Sequence, residues 1–192
     1  MDEFAETKFD VTNNTLETGR LILRQWHLSD VNDLFEYASV AGVGEMAGWQ
    51  AHKDLEHSKA ILFNFLISRS VYAIQLKSNN KVIGSLGVEE LHINHLGNEF
   101  KNLKGREIGY VLSKEYWGLG IMAEAVDKVV EHIFNELDFD FLMCAHFKDN
   151  NQSKRVIEKT GFNFYKEAEI STIFNENETT LIYIMYNPKR NY

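Results

Sequence analysis

Tyr116-Trp117-Gly118-Leu119-Gly120-Ile121-Met122-Ala123-Glu124-Ala125 sets a glycine pair directly before an apolar, helix-like run. Downstream of Met122, Val126, Val129, Val130, Ile133 and Leu137 recur at three- and four-residue spacing, with Glu124, Asp127, Lys128, Glu131 and Glu136 opposite. That is the pattern of a helix with one buried face. Upstream, Glu107-Ile108-Gly109-Tyr110-Val111-Leu112 reads as a strand. Where a strand, a glycine turn and a helix start meet, the backbone can approach a ligand closely. The first helical amides then point outward with the positive end of the helix dipole. Alone, the segment marks a site for some anion, and a pyrophosphate suits several converging N–H groups. It is not a P-loop, because Gly-Lys-Ser/Thr is missing, and the third glycine position of a dinucleotide fingerprint holds Ala123.

Working outward, Leu21-Ile22-Leu23 reads as a first strand, and Ser29 or Asp30 caps a short helix carrying Val31, Leu34 and Phe35. A glycine-punctuated loop spans Ala41 to Trp49, and a second helix runs from about Asp54 to Arg69. The Ile61–Ile67 part of that helix reads as core. Val71–Leu76 and Lys81–Val88 are strands joined at Ser78-Asn79-Asn80, and residues 91–105 form a surface loop. Phe139–Phe147, mostly apolar, reads as a strand buried on both faces. Asn151–Thr160 is a helix stopped at Gly161, and Phe162–Ala168 and Thr179–Tyr186 are strands turning at residues 175–178. The expected fold is α/β of the α+β type. The order is strand, two helices, three strands, helix, strand, helix, two strands, which makes a mixed sheet and not a regular βα alternation. Residues 1–15 are expected as a flexible arm and 16–192 as one domain.

Composition sets the class. With 192 residues, 44% hydrophobic and 25% charged, the chain is an ordinary globular domain that can bury roughly 70% of its unfolded surface without a disulfide or metal. The formal net charge of −8 repels phosphate backbones, so no nucleic-acid partner is expected, while cationic amines are mildly favoured. One cysteine, Cys144, fits a reducing compartment. The acidic start and the absence of a long apolar run predict no signal peptide and no membrane span, hence a cytoplasmic protein.

The quoted segment resembles the acetyl-CoA motif of the GNAT superfamily, in the form typical of its ribosomal-protein alanine acetyltransferase (RimJ/RimL-like) branch. Thr18-Gly19-Arg20-Leu21-Ile22-Leu23-Arg24, Ser29-Asp30, Glu107–Leu112 and Asn150-Asn151-Gln152-Ser153 through Glu158-Lys159-Thr160-Gly161-Phe162 resemble further blocks of that branch, in the same order. The resemblance covers roughly residues 16–186. It implies a GNAT-like fold, one mixed, mostly antiparallel sheet of about seven strands with helices on both faces and a splayed central strand pair, and acetyl-CoA as the acyl donor. By the same resemblance the pantetheine arm lies along the backbone of Tyr110, Val111 and Leu112. The pyrophosphate sits on amides from Trp117 through Gly118, Leu119, Gly120 and Ile121 to Met122, and Asn150 and Ser153 contact the cofactor. Glu115 departs from the Gln/Arg of many relatives, which weakens phosphate contacts but leaves the amide cradle intact.

Attack of an amine on a thioester needs a neutral amine, a donor for the oxyanion and a proton for the thiolate. Glu107, on one strand face with Gly109 and Val111, is the first candidate base, and a free N–H near Val111 or Leu112 is the candidate oxyanion donor. The position where many relatives carry an acid tyrosine is Ile157, which leaves Tyr110 or Tyr165 as substitutes. Glu89, or its neighbour Glu90, is expected to face the same cleft. By resemblance, the loop with Trp49 and His52 borders the acceptor, an amine on a small molecule or a protein N-terminus. A homodimer remains open. His92 and His95 lack partner ligands, so no metal is expected. His146 reads as a satisfied strand histidine and Cys144 as an inert buried thiol. The alternative to an enzyme is a non-catalytic acyl-CoA-binding or sensing module.

Overall fold

The computed structural model describes residues 9–91, 96–171 and 177–190. The strands are β1 (Leu16–Glu17), β2 (Leu21–Arg24), β3 (Val71–Leu76), β4 (Val82–Glu89), β5 (Gly105–Leu112), β6 (Phe141–Phe147), β7 (Asn163–Ser171) and β8 (Asn177–Tyr186). The helices are α1 (Val31–Ala38), α2 (Leu55–Ser68), α3 (Ile121–Glu136) and α4 (Asn151–Lys159). One eight-stranded sheet has the order β1-β2-β3-β4-β5-β6-β8-β7. Every neighbouring pair is antiparallel except β5 and β6. The strand beyond the expected set is β1, whose two residues are too short to carry a period.

Alternation along β3 sorts the helices onto two faces. Tyr72, Ile74 and Leu76 join the core beneath α3 and α4, whereas Val71 and Ala73 join the core beneath α1 and α2. From α3, Ile121, Met122, Ala125, Val126, Val129 and Ile133 enter the first core. Each such buried Ile, Val or Met side chain contributes roughly 1.5–3 kcal/mol. Packing therefore holds α3, which no side chain caps at its N-terminus. α2 starts at Asp54, whose carboxylate accepts the His57 amide, and ends at Arg69 with φ 55°. Asp30, expected as a helix cap, instead accepts the His27 amide and the Arg24 guanidinium.

Two expectations change. Phe9 and Val11, inside the stretch read as a flexible arm, are buried in the α3-side core, Phe9 edge-on to Tyr72. Isolated apolar residues in a polar stretch gave no periodic signal for this. The Ile61–Ile67 run is only half core, since Phe63 is 52% and Ile67 77% exposed. Among the described residues, no helix is long and apolar enough to cross a membrane.

β5 and β6 pair only from Gly105↔Phe141 to Ile108↔Cys144. Beyond that point β5 stays with β4 and β6 with β8, so the two strands part towards the α3 N-terminus. On the α1/α2 side, Phe100, Phe141, Met143, Ile182 and Ile184 form a third cluster. Between it and the α1/α2 core lies a strip of β5 with Gly109 exposed in mid-strand.

Candidate active site at the strand splay

The glycine turn is built for close approach. Gly118 and Gly120 have φ of 77° and 72°, the left-handed region where a Cβ is strained. A 3-10 turn, Lys114–Tyr116, leads in from β5, and the Trp117 indole donates to the Leu112 carbonyl at 2.8 Å. Among the described residues, no acceptor lies within hydrogen-bond reach of the amides of Gly118 through Ala123. Consecutive unpaired amides at a helix N-terminus form an anion cradle. Arg20 and Thr18 brace it from behind. Both bond the Glu124 carboxylate, and Arg20 also donates to the Leu119 carbonyl at 3.0 Å. Burial raises the Glu124 pKa, but the bonds from Thr18 and Arg20 outweigh it and hold the carboxyl below its usual value.

The splay opens into a cavity of about 470 Å³. It is lined by Glu107, Tyr110, Val111 and Leu112 of β5, and by Trp117, Gly118, Gly120, Ile121 and Met122 of the turn and α3. Asn150 and Ser153 contribute from the α4 end. Leu119 stands outside, 58% exposed, on a neighbouring groove with Arg20 and Lys159. Arg155 and Lys159, a turn apart on α4, also line the cavity and put positive charge beside the cradle. Their four-residue spacing sets both on one face of α4, a signal present in the sequence.

Backbone polarity on β5 refines the donor assignment. The Ser113 amide donates to the Ile83 carbonyl at 2.8 Å, so by the two-residue period the odd-numbered backbone groups face β4. Those of Tyr110 and Leu112 therefore face the gap, while the Val111 amide is spent on the sheet. Val111 contributes its side chain to the cavity wall instead.

Glu107 lines the cavity and stands directly across from Glu89 in the β4–β5 register. Glu89 itself lies outside the cavity, its carboxylate accepting from the Ser70 hydroxyl at 3.1 and 3.2 Å. The Tyr110 hydroxyl lies 2.9 Å from the Ser153 hydroxyl. Burial, with the Cys144 thiol beside it, pushes its pKa well above the ordinary tyrosine range. Burial, then the Glu107 charge, likewise pushes the Cys144 thiol up, so it stays protonated. His146 is bonded to the Phe147 carbonyl and ring-packed on Tyr183, and burial lowers its pKa. Tyr165 is drawn away from the cavity by a 2.7 Å bond to Glu99. Ile157, where relatives carry a tyrosine, is buried in the α3-side core.

Trp49 and His52 do not reach the cavity. Trp49 packs on the α1/α2 core with its ring against Gly44, where a Cβ would come within 2.2 Å. His52, 6% exposed, lies 2.7 Å from the Ser58 hydroxyl and packs, with its ring tilted, between Trp49 and His57. The residues of that loop facing the cavity are Val43, Met46 and Ala47. Apolar and unpatterned, they carried no functional signal. His92 and His95 lie outside the described residues.

A family profile described as "Acetyltransferase (GNAT) domain" matches residues 20–163. A Bacillus subtilis (strain 168) protein described as the uncharacterized N-acetyltransferase YoaA is 28% identical over 182 residues, 91% of this chain and 97% of its own. The solved ribosomal-protein-S5-alanine acetyltransferase from Vibrio fischeri matches with TM-score 0.73 and 20% identity, covering 94% of this chain and 100% of that one. RimL, described as a ribosomal L7/L12 alpha-N-protein acetyltransferase in complex with coenzyme A, gives TM-score 0.72 and 19% identity over 90% and 98% of the two chains. At these identities the structural likeness speaks for the fold.

Proposed function

The chain belongs to the GNAT acetyltransferase family, and on that premise we propose that it transfers an acetyl group from acetyl-CoA to a primary amine, both bound at once. The observation that carries the reading is the row of unpartnered amides from Gly118 to Ala123 at the mouth of the β5/β6 gap. The amides of Gly118 through Met122 would hold the pyrophosphate, with Lys159 and Arg155 adding charge. The gap-facing backbone of Tyr110 and the Leu112 amide would pair the pantetheine arm, the Leu112 carbonyl being taken by the Trp117 indole. RimL, described as a complex with coenzyme A, supports this use of the same fold.

The amine nitrogen attacks the thioester carbonyl, a C–N bond forms, and the C–S bond breaks. Glu107 takes the amine proton, directly or through water. A β5 amide facing the gap, at Tyr110 or Leu112, donates to the developing oxyanion. The Tyr110 hydroxyl, protonated across the working range, donates a hydrogen bond towards the departing thiolate, which solvent protonates. The acceptor approaches over Gly109 on the α1/α2 side. It is an amine on a protein N-terminus or a small molecule, and the ribosomal-protein substrates named for the solved relatives favour the former.

Glu107→Gln tests the base. Turnover should fall at least ~10²-fold, the usual scale of a general base, with the acetyl-CoA Kd unchanged. An unaltered rate would clear Glu107 of the role.

A further inference from the structure

Asn150, read from the sequence as a cofactor contact, spends its amide within the protein. It is 8% exposed. Its Oδ1 accepts the Ser153 amide at 3.0 Å, capping α4. Its Nδ2 donates to the Met46 carbonyl at 3.1 Å. The two neighbours fix the orientation of the amide, because a backbone N–H needs the oxygen and a carbonyl needs the nitrogen. The segment Ala41–Gly48 is therefore tied to the cofactor side of the cavity. A second tie comes from the phosphate-turn side, where the Lys114 ammonium donates to the Ala41 carbonyl. Gly48 closes over the Phe147 ring, which a Cβ would approach to 3.4 Å. Between these ties, Val43, Met46 and Ala47 wall the cavity, and Val43 and Val111 belong to one core. The strap thus roofs the β5 face that carries Glu107 and Gly109.

We propose that Asn150 is a positioning residue for the acyl acceptor: by pinning the Met46 carbonyl to the start of α4, it fixes the roof under which the amine docks. The inference rests on the transfer reading above. The acceptor site is then shaped by a side chain on the cofactor side, although the acceptor itself meets Val43, Met46 and Ala47.

Asn150→Asp separates the two bonds. An aspartate keeps an oxygen for the Ser153 amide, so α4 stays capped, but it sets a second oxygen against the Met46 carbonyl. At saturating acetyl-CoA, the acceptor KM should rise about tenfold, the worth of a lost buried hydrogen bond. Any rise in the CoA Kd should be clearly smaller than that, and amide exchange across 41–48 should quicken. Lys114→Met, which cuts the other tie at an exposed residue, should shift the acceptor KM and the exchange in the same direction. This second variant serves if Asn150→Asp does not fold. Weakened CoA binding to match the rise in acceptor KM, or an unchanged acceptor KM beside a wild type that turns over, would overturn the proposal alone. A wild type that binds acetyl-CoA but acetylates no amine would overturn the transfer reading, and this proposal with it.

Discussion

Gly109 sits in the middle of the central strand, yet a Cβ there would meet nothing within 4 Å. Its φ is not positive, so neither crowding nor backbone conformation requires glycine. A valine should pack as well or better in the free protein, since strands favour β-branched residues. The space has meaning only if a ligand fills it. Gly109→Val should therefore leave the thermal midpoint unchanged or raised, while turnover falls at least about tenfold. A lowered midpoint, or full activity, would contradict the ligand assignment. At this scale the sequence disclosed the glycine cradle, because two glycines before a helix constrain the local backbone. The partners of Asn150 and His52 were hidden, because Met46 and Ser58 meet them only after folding, and nothing in a local pattern encodes such a meeting.

Among the elements, the junction of the 41–50 loop with α2 has a consequence for stability. Burial, then the neighbouring His57, lowers the His52 pKa from 6.5 to about 4. The folded state thus resists protonation that the unfolded chain accepts. The associated stability is complete above pH 6.5, falls as pH drops, and is gone below about pH 4. The full span is about 3 kcal/mol. Urea midpoints of the wild type should fall from pH 7 to pH 5 by more than those of His52→Gln, which keeps a partner for Ser58 but cannot titrate. Equal falls would show that His52 is not held neutral. Here helix and strand positions were legible from periodicity. The exposed side of α2 was not legible, because its apolar residues run right around the helix. A uniform run does not say which side is solvent, and Phe63 and Ile67 turned out to be on that side.

Over the whole molecule, the sheet does the positioning. Among the described residues, β5 and β6 are its only parallel neighbours, and their parting makes the gap. Helices on one face supply the row of unpartnered amides, and on the proposed reading the amine docks on the other face, over the β5 strip walled by Val43, Met46 and Ala47. The family blocks made this architecture legible before any coordinates, since they fixed the order of strand, turn and helix. The roof was not legible, because its residues are apolar and act through backbone carbonyls. If acetyl-CoA binds the folded chain alone, ligand at about 100 times its Kd should raise unfolding free energy by about 2.7 kcal/mol. A flat melting temperature at millimolar acetyl-CoA would contradict the cradle.

The most direct measurement is release of free CoA thiol from acetyl-CoA, followed with a thiol reagent across a panel of small amines and peptide N-termini. Thiol release that depends on at least one amine, with the acetylated amine identified by mass, is the predicted result. Tight acetyl-CoA binding with no amine-dependent release for any acceptor would contradict an acetyltransferase and leave a protein that only binds the acyl donor.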